Sequence, residues 1–382
     1  MNIVFLIETG EPGGAEQVVL TLACGFRAQG DNVHVVVLQP GWLTDALKEV
    51  QIPFTICPSA KRLDVLLPVR LASLFRRLRA DVVHSHLLDS NFYGALACRL
   101  AGIRHIATDH GDVHLPDEKR LLRFKIRAIS LCRSTVTAVS EFTRRRIVSL
   151  GGHPRRTVRV YNPVQVVPEY SSVLRQTVRT ELGLPASERE MWLWLHAARL
   201  TPVKDEPTML RGFAEALLSN PRQRLLIVGD GPERSRLTSL ARELGIESSV
   251  EFLGFRKDVP RLFAAADGFI LSSRSEAMPM TVLEAATAGV VVVSSSVGGV
   301  PEVIRDGERG YLFAPGDVSA LASRLLEVVS DVARSQAIAL QLKEFVLREF
   351  VVETILAQYR RLYVGEKQPQ EEATSSAPEQ SF

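Results

Sequence analysis

The chain has 382 residues, 46% of them apolar, with 46 Lys and Arg against 43 Asp and Glu for a formal charge of +3. That length accommodates two domains, each with its own core, while no run reaches the roughly 18 apolar residues of a membrane span. Residues 1–7 lack the basic start and long apolar stretch of a signal peptide, and Cys24, Cys57, Cys98 and Cys132 stand singly without a C-x-x-C, which reads as a cytosolic protein with reduced thiols.

The charge is unevenly spread. Residues 1–165 hold 22 Lys and Arg against 14 Asp and Glu, and the remainder holds 24 against 29. The first half is therefore the part suited to an anionic surface. It carries no aromatic-interleaved basic stripe or nucleic-acid motif, so no nucleic-acid partner is expected.

Residues 2–7, NIVFLI, are a continuous apolar run of buried-strand type. A glycine-rich turn with Gly10, Gly13 and Gly14 leads into a helix from about Glu16 to Gln29, Gly30 closes it, and residues 33–38 form the next strand. Strand, helix, strand predicts a parallel sheet with helices on its faces. The glycines do not fall as G-x-G-x-x-G. The second strand also ends in Leu38-Gln39-Pro40, where a nicotinamide-binding domain has an acid for the ribose. A dehydrogenase is set aside.

Further strands are expected at 81–85, 103–108, 135–139 and 158–161, with helical stretches between them. Polar residues gather just past their ends: His84 and His86, then Asp109, His110 and Gly111, then Ser140 and Glu141, then Asn162. In an open parallel sheet that edge lines the ligand crevice. His110 and His114 have metal-like spacing, but Gly111 and Pro116 deny them a helix and no third ligand is evident, so no metal is expected. The stretch from Lys119 to Arg133 places Leu122, Ile126 and Ile129 in one helical row and Lys119, Arg123 and Arg127 in another. Arg70, Arg76, Arg77 and Arg79 form a second basic cluster. This is either an ordinary surface helix or a face that rests on anionic lipid headgroups.

Periodicity fades over residues 165–190, which marks a junction. A second strand–helix series begins at 191–195 and continues with strands at 224–228, 250–253, 268–271, 290–293 and 311–313. Arg199 and Lys204 leave the carboxyl end of its first strand, where a guanidinium fork and an ammonium point charge suit a diphosphate. A long amphipathic helix is expected over 335–363, followed by a polar tail rich in Pro and Ser that reads as disordered.

The stretch 272–289 is the focus of this second half. An apolar run ends in a polar loop holding Glu276. Pro279 then suits the first turn of a helix, which runs over Met280 to Ala288 and stops at Gly289. Its start offers free N–H groups to an anion. Glu284 lies two turns further on, and the helix is apolar or small nearly all round, so that acid is buried and needs a partner. Phosphates at the helix start with sugar hydroxyls on the two acids describe a site for a sugar nucleotide.

These motifs resemble those of the retaining glycosyltransferases of the GT-B fold in the large group-1 family, family 4 among sugar enzymes. The resemblance spans nearly the whole chain: GGAE at Gly13 to Glu16, DHG at Asp109 to Gly111, ARL with a lysine four positions on at Ala198 to Lys204, VGDGP at Val228 to Pro232, and E-x7-E at Glu276 to Glu284. It implies an α/β architecture of two Rossmann-like domains facing a central cleft: residues 1–165 for the acceptor, a linker at 166–190, residues 191–344 for the nucleotide sugar, a helix at 345–364 crossing back, and a disordered tail at 365–382. Under it Arg199 and Lys204 hold the donor diphosphate, Glu284 takes the ribose hydroxyls, and Glu276 binds the transferred sugar with N–H groups near Met280 and Thr281. His110 meets the sugar from the first domain, Gly13 and Gly14 let backbone approach phosphate or acceptor, and the base lies near Gly254 and Phe255. The leaving phosphate oxygen takes the acceptor's proton on the same face, which retains configuration without a carboxylate nucleophile or a metal. Ala198 stands where the family has glycine, and Asn162-Pro163 where Asn-Gly is common.

The expected function is hexosyl transfer from a UDP or GDP sugar to a lipid-linked or polysaccharide acceptor, in cell-surface polysaccharide or glycolipid synthesis. The enzyme is expected in the cytoplasm or peripherally on the membrane's cytoplasmic face. A sugar-nucleotide epimerase on the same architecture and a non-catalytic binding subunit are the alternatives.

Overall fold

The computed structural model describes residues 1–59, 64–111, 119–166, 171–184 and 191–366. The expected disordered tail beyond residue 366, and His114 with Pro116, lie outside the described residues.

Two parallel sheets carry the fold. The first contains β1 (Asn2–Ile7), β2 (Asn32–Val37), β3 (Phe54–Ile56), β4 (Val82–His86), β5 (Arg104–Asp109), β6 (Thr135–Ala138) and β7 (Thr157–Arg159), in the order β3-β2-β1-β4-β5-β6-β7. The second contains β8 (Trp192–Ala197), β9 (Gln223–Val228), β10 (Val250–Gly254), β11 (Gly268–Leu271), β12 (Val291–Ser295) and β13 (Tyr311–Phe313), in the order β10-β9-β8-β11-β12-β13. Each sheet is covered by helices, giving two Rossmann-like domains. In each, chain order reverses beside the first strand, at β1/β4 and at β8/β11, and a ligand crevice opens beyond the carboxyl ends of the strands at such a switch. The loops after β1, β5, β8 and β11 hold Gly13, Gly14, His110, Arg199, Lys204 and Glu276.

One apolar cluster runs from the inner face of the first sheet through Tyr161, Val164 and Phe350 to Leu193, Leu195 and Phe269 of the second. The domains are therefore joined by buried surface as well as by chain.

Four expectations need correction. The edge strand β3 and the helix Trp42–Glu49 before it were not anticipated, because three residues are too few to show alternation. The segment read as a featureless junction contains a helix, Ser172–Glu181, capped by Ser171. Its fully buried Arg179 bonds Asp267 at 3.0 Å and the carbonyls of Ala265 and Met191, while Arg175 also pairs with Asp267. The helix thus belongs to the second domain by ion pairing, a signal that hydrophobic periodicity does not carry. The long final helix is two helices, Val332–Glu349 and Val352–Val364. The break comes where the Phe350 carbonyl accepts from Val164 N–H at 2.8 Å and Val351 forms a parallel bridge with Val164. The last helix packs on Gly14–Ala28 of the first domain. A Cβ at Gly25 would lie 2.6 Å from Leu356 there.

His84 is the fourth correction. It sits within β4, fully buried, with its ring nitrogens 2.6 Å from Tyr363 Oη of the last helix and from Thr108 Oγ1. It anchors that helix and does not line a crevice. His105, on the neighbouring strand, is likewise held between Ser85 Oγ at 2.8 Å and Ser134 Oγ at 2.7 Å.

Burial pushes the His105 imidazole down to about 3. An unfolded imidazole takes its proton near pH 6.5, so between those values the unfolded chain binds one proton more than the folded one. The stabilisation is complete above pH 6.5 and is lost as pH falls towards 3, at about 1.4 kcal/mol per pH unit. His105→Asn should reduce the pH slope of stability by one proton. Urea melts at pH 6 and pH 5 measure it, and an unchanged slope would mean that the folded protein protonates this ring freely.

Candidate active site

The loop after β11 and the loop after β8 close on each other. Lys204 Nζ and Ser273 Oγ both donate to Glu276 Oε1 at 2.6 Å, and Ser272 Oγ donates to the Lys204 carbonyl at 2.9 Å. Arg274 N–H meets the Val203 carbonyl at 2.8 Å, and Ser295 Oγ on β12 bonds the Ser273 carbonyl at 2.6 Å. Lys204 ends a short 3-10 turn, after which Asp205 takes a left-handed conformation with φ +50. Asp tolerates that region better than most residues because its short side chain bonds locally, and here it accepts from Thr208 Oγ1 at 2.9 Å and pairs with Arg274. The mostly buried carboxylate of Glu276 is thereby compensated by a cation, as burial requires.

Backbone contact fixes the acid from the other side. Gly298 has φ +54, and a Cβ there would lie 1.6 Å from the Glu276 carbonyl oxygen, while Gly299 N–H donates to that oxygen at 3.2 Å. Pro279 takes the N-cap position of the helix Met280–Thr287, one place earlier than expected, and no side chain caps that helix start. Glu284, on the following turns, is mostly buried, and burial raises its carboxyl above the usual carboxylate range.

The first domain reaches this loop at two points. Gly14 opens the helix Gly14–Ala28, and a Cβ on it would lie 3.7 Å from Met280 Cγ. Gly13 is its N-cap. Gly111, with φ +74, lies so close to Ala277 that an added Cβ would come within 2.3 Å of the alanine's Cβ. Asp109 Oδ1 accepts from Gly111 N–H at 2.7 Å and shapes the turn, which sets His110 beside the second-domain loop. The His110 ring stacks on His86, with Nε2 2.9 Å from His86 Nδ1, and burial pushes its imidazole down to about 4, so it is neutral at pH 7.

Not every expected residue enters this cluster. Arg199 is exposed on its loop. Phe255 is 61% exposed beside Gly254, which has φ +69 at the end of the edge strand β10. His86 belongs to β4 and supports His110 from behind. Ser140 caps the helix Glu141–Ser149, and Asn162 is buried near the domain crossing. Three contributors were not singled out as site residues. Ser273 had no distinguishing signal among neighbouring serines. Glu8 accepts from the N–H groups of Asp89 at 2.7 Å and Ser90 at 3.1 Å and so ties the β1 loop to the helix after β4. Glu302 reaches across to the first domain.

The arrangement brings a compensated acid, a desolvated acid, an uncapped helix start and a neutral imidazole to one interdomain cleft. The sequence profile of "Glycosyl transferases group 1" matches residues 185–343, and that of "Glycosyltransferase Family 4" matches residues 12–167. Among curated relatives, N-acetyl-alpha-D-glucosaminyl L-malate synthase of Bacillus anthracis is 30% identical over 308 residues, covering 78% of each chain. An Escherichia coli UDP-Gal:alpha-D-GlcNAc-diphosphoundecaprenol alpha-1,3-galactosyltransferase is 23% identical over 321 residues, 78% of this chain and 80% of its own. Among solved structures, Anabaena Alr3699/HepE in complex with UDP superposes with TM-score 0.85 at 25% identity, over 95% of this chain and all of its own. The chain belongs to the group-1, family-4 glycosyltransferases of the GT-B fold.

Proposed function

We propose that this chain is a retaining, metal-independent hexosyltransferase that moves a sugar from a uridine or guanosine diphosphate to a lipid-linked or polysaccharide acceptor. The observation that carries the reading is the Lys204–Glu276 contact at 2.6 Å, directly beside the uncapped start of the helix Met280–Thr287 and under the Gly111 turn of the other domain. Without donor, lysine and acid neutralise each other. An incoming diphosphate competes for the ammonium and for the free N–H groups, which releases Glu276 to accept from sugar hydroxyls. Lys204 and Arg199 then offset charge building on the leaving phosphate, the kind of preorganised stabilisation that contributes most to such reactions. The acceptor proton passes to the departing phosphate oxygen on the same face. His110, neutral, is suited to a hydrogen bond with the sugar and not to an ion pair. Glu284 takes the ribose hydroxyls, and Gly254 with Phe255 flanks the base. UDP is the favoured nucleotide, because relatives with UDP and UDP-glucose bound share the architecture.

A ligand held only by the folded state adds about 2.7 kcal/mol at a hundredfold excess over Kd. UDP should therefore raise the melting temperature clearly more than GDP or ADP, and equal shifts would remove the base assignment. With acceptor present, Glu276→Gln and Lys204→Ala should each lower transfer by roughly 100-fold or more with unchanged circular dichroism. Near-normal turnover in either variant would overturn the assignment. Donor incubated alone should stay unconverted, since an epimerase would change it.

The basic first domain supports the membrane part of the proposal, with one revision to the sequence reading. Leu122, Ile126 and Ile129 of the helix Lys119–Leu131 pack inward at 4% exposure each. The face that remains for lipid holds Leu121, Phe124 and Leu131, which are exposed, with Arg120, Arg123 and Arg127. Among the described residues no helix is long and apolar enough to cross a membrane. Each basic residue near an anionic surface adds about 1 kcal/mol, so the enzyme should sediment with anionic vesicles and not with neutral ones. Arg123→Glu with Arg127→Glu should abolish the difference. Equal binding of the unaltered enzyme to both vesicles would remove the membrane claim and leave the enzymatic one intact.

A further inference from the structure

One polar contact across the cleft involves none of the groups assigned to donor binding. Glu302, in the short helix Val300–Val303 of the second domain, accepts from Glu141 N–H at 2.9 Å through Oε2 and from Phe142 N–H at 3.0 Å through Oε1. These are the first two N–H groups of the first-domain helix Glu141–Ser149, and the third is satisfied by Ser140 Oγ at 3.1 Å. The opening N–H groups of a helix have no intrahelical partner, and an anion placed on them also meets the positive end of the helix dipole. Two of the three are therefore completed only by the other domain. Tyr161 Oη donates to Glu302 Oε2 at 3.3 Å as well, and its ring stacks on Phe350 at the break in the final helices.

The neighbouring charge is managed so that this contact can form. Glu141 would repel Glu302, but its own carboxylate is held by Arg144 at 2.6 and 2.7 Å and by Arg145 at 3.1 Å. The backbone N–H groups of residues 141 and 142 are left to Glu302.

The same short helix is continuous with the support of Glu276. Glu302 N–H donates to the Gly299 carbonyl at 3.1 Å, and Gly299 N–H donates to the Glu276 carbonyl at 3.2 Å. Gly299 is also wedged between the domains: a Cβ there would lie 2.1 Å from the Ala277 carbonyl oxygen and 2.8 Å from Ser140 Cβ. From the first-domain helix to the backbone of Glu276, the path runs through Glu302 and Gly299, with no flexible side chain after Glu302.

We propose that Glu302 is a positioning residue for sugar transfer: its carboxylate clamps the two domains by capping the helix Glu141–Ser149, and that clamp makes the placement of the Glu276–Ala277 loop against the Gly111 turn conditional on closure. The catalytic part of this inference rests on the function proposed above, and the clamp itself does not. Nucleotide binding is left largely to the second domain, where Glu284, Gly254 and Phe255 lie.

The test uses the full chain with Glu302→Ala and Glu302→Gln, read by amide hydrogen exchange at residues 141–143 and by steady-state kinetics. Losing hydrogen bonds to a charged acceptor corresponds to about a tenfold to hundredfold change. Glu302→Ala should speed exchange at Glu141 and Phe142 by that factor and lower kcat by a similar one, with UDP affinity within about twofold of the parent. Glu302→Gln keeps one acceptor oxygen and should fall between the two. Unchanged exchange in Glu302→Ala would overturn the clamp. Faster exchange with unaltered kcat would overturn the positioning role, and a joint loss of UDP affinity and melting temperature would reduce the residue to a structural one. If the unaltered chain transfers no sugar, the proposed function fails, while the exchange experiment still decides whether Glu302 joins the domains.

Discussion

Backbone meets backbone in this cleft at distances that exclude a side chain. Gly298 lies against the carbonyl of Glu276, Gly299 against that of Ala277, and Gly111 against the Ala277 methyl. Two of the three also require positive φ, which removes every other residue at low cost. Because the loops can approach this closely, Lys204 reaches Glu276 and the helix start at Met280 faces the first domain without an intervening layer. Larger residues at these positions would separate the loops by an atom's diameter, and groups that must act on one small sugar would no longer converge.

Within that geometry three glutamates differ by environment more than by type. Glu276 is paired with an ammonium and a serine, partners that an incoming ligand can displace. Glu284 is desolvated on an apolar helix, which raises its carboxyl and makes it receptive to donors that arrive with a ligand. Glu302 is also raised by burial, against which two backbone N–H groups act, so its partner is another part of the same protein. Exchangeable, waiting and occupied acids are thus set apart by what surrounds each one.

The parts legible in sequence were those that demand unusual residue types. Glycine turns, a proline opening a helix and paired acids eight residues apart mark loops at strand ends, and the sheet switch points lie beside them. The parts that stayed hidden depend on distant partners. Nothing local distinguishes His84, which is locked under Tyr363, from His86, which stacks on His110. The helix Ser172–Glu181 is tied down by Arg179 and Asp267, 88 residues apart, and the capping partner of Glu302 lies 161 residues away. The break at Phe350 likewise follows from a hydrogen bond to Val164 and not from a proline or glycine.

The bridge between Val164 and Val351 has a mechanical meaning. The chain passes between the domains after residue 164 and again at residue 351, and these two passages lie side by side. Two tethers fastened at one spot suppress sliding and twisting of the halves and leave mainly a swing about a single line. Along such a line a small change of angle moves nearby atoms little and remote rims a great deal.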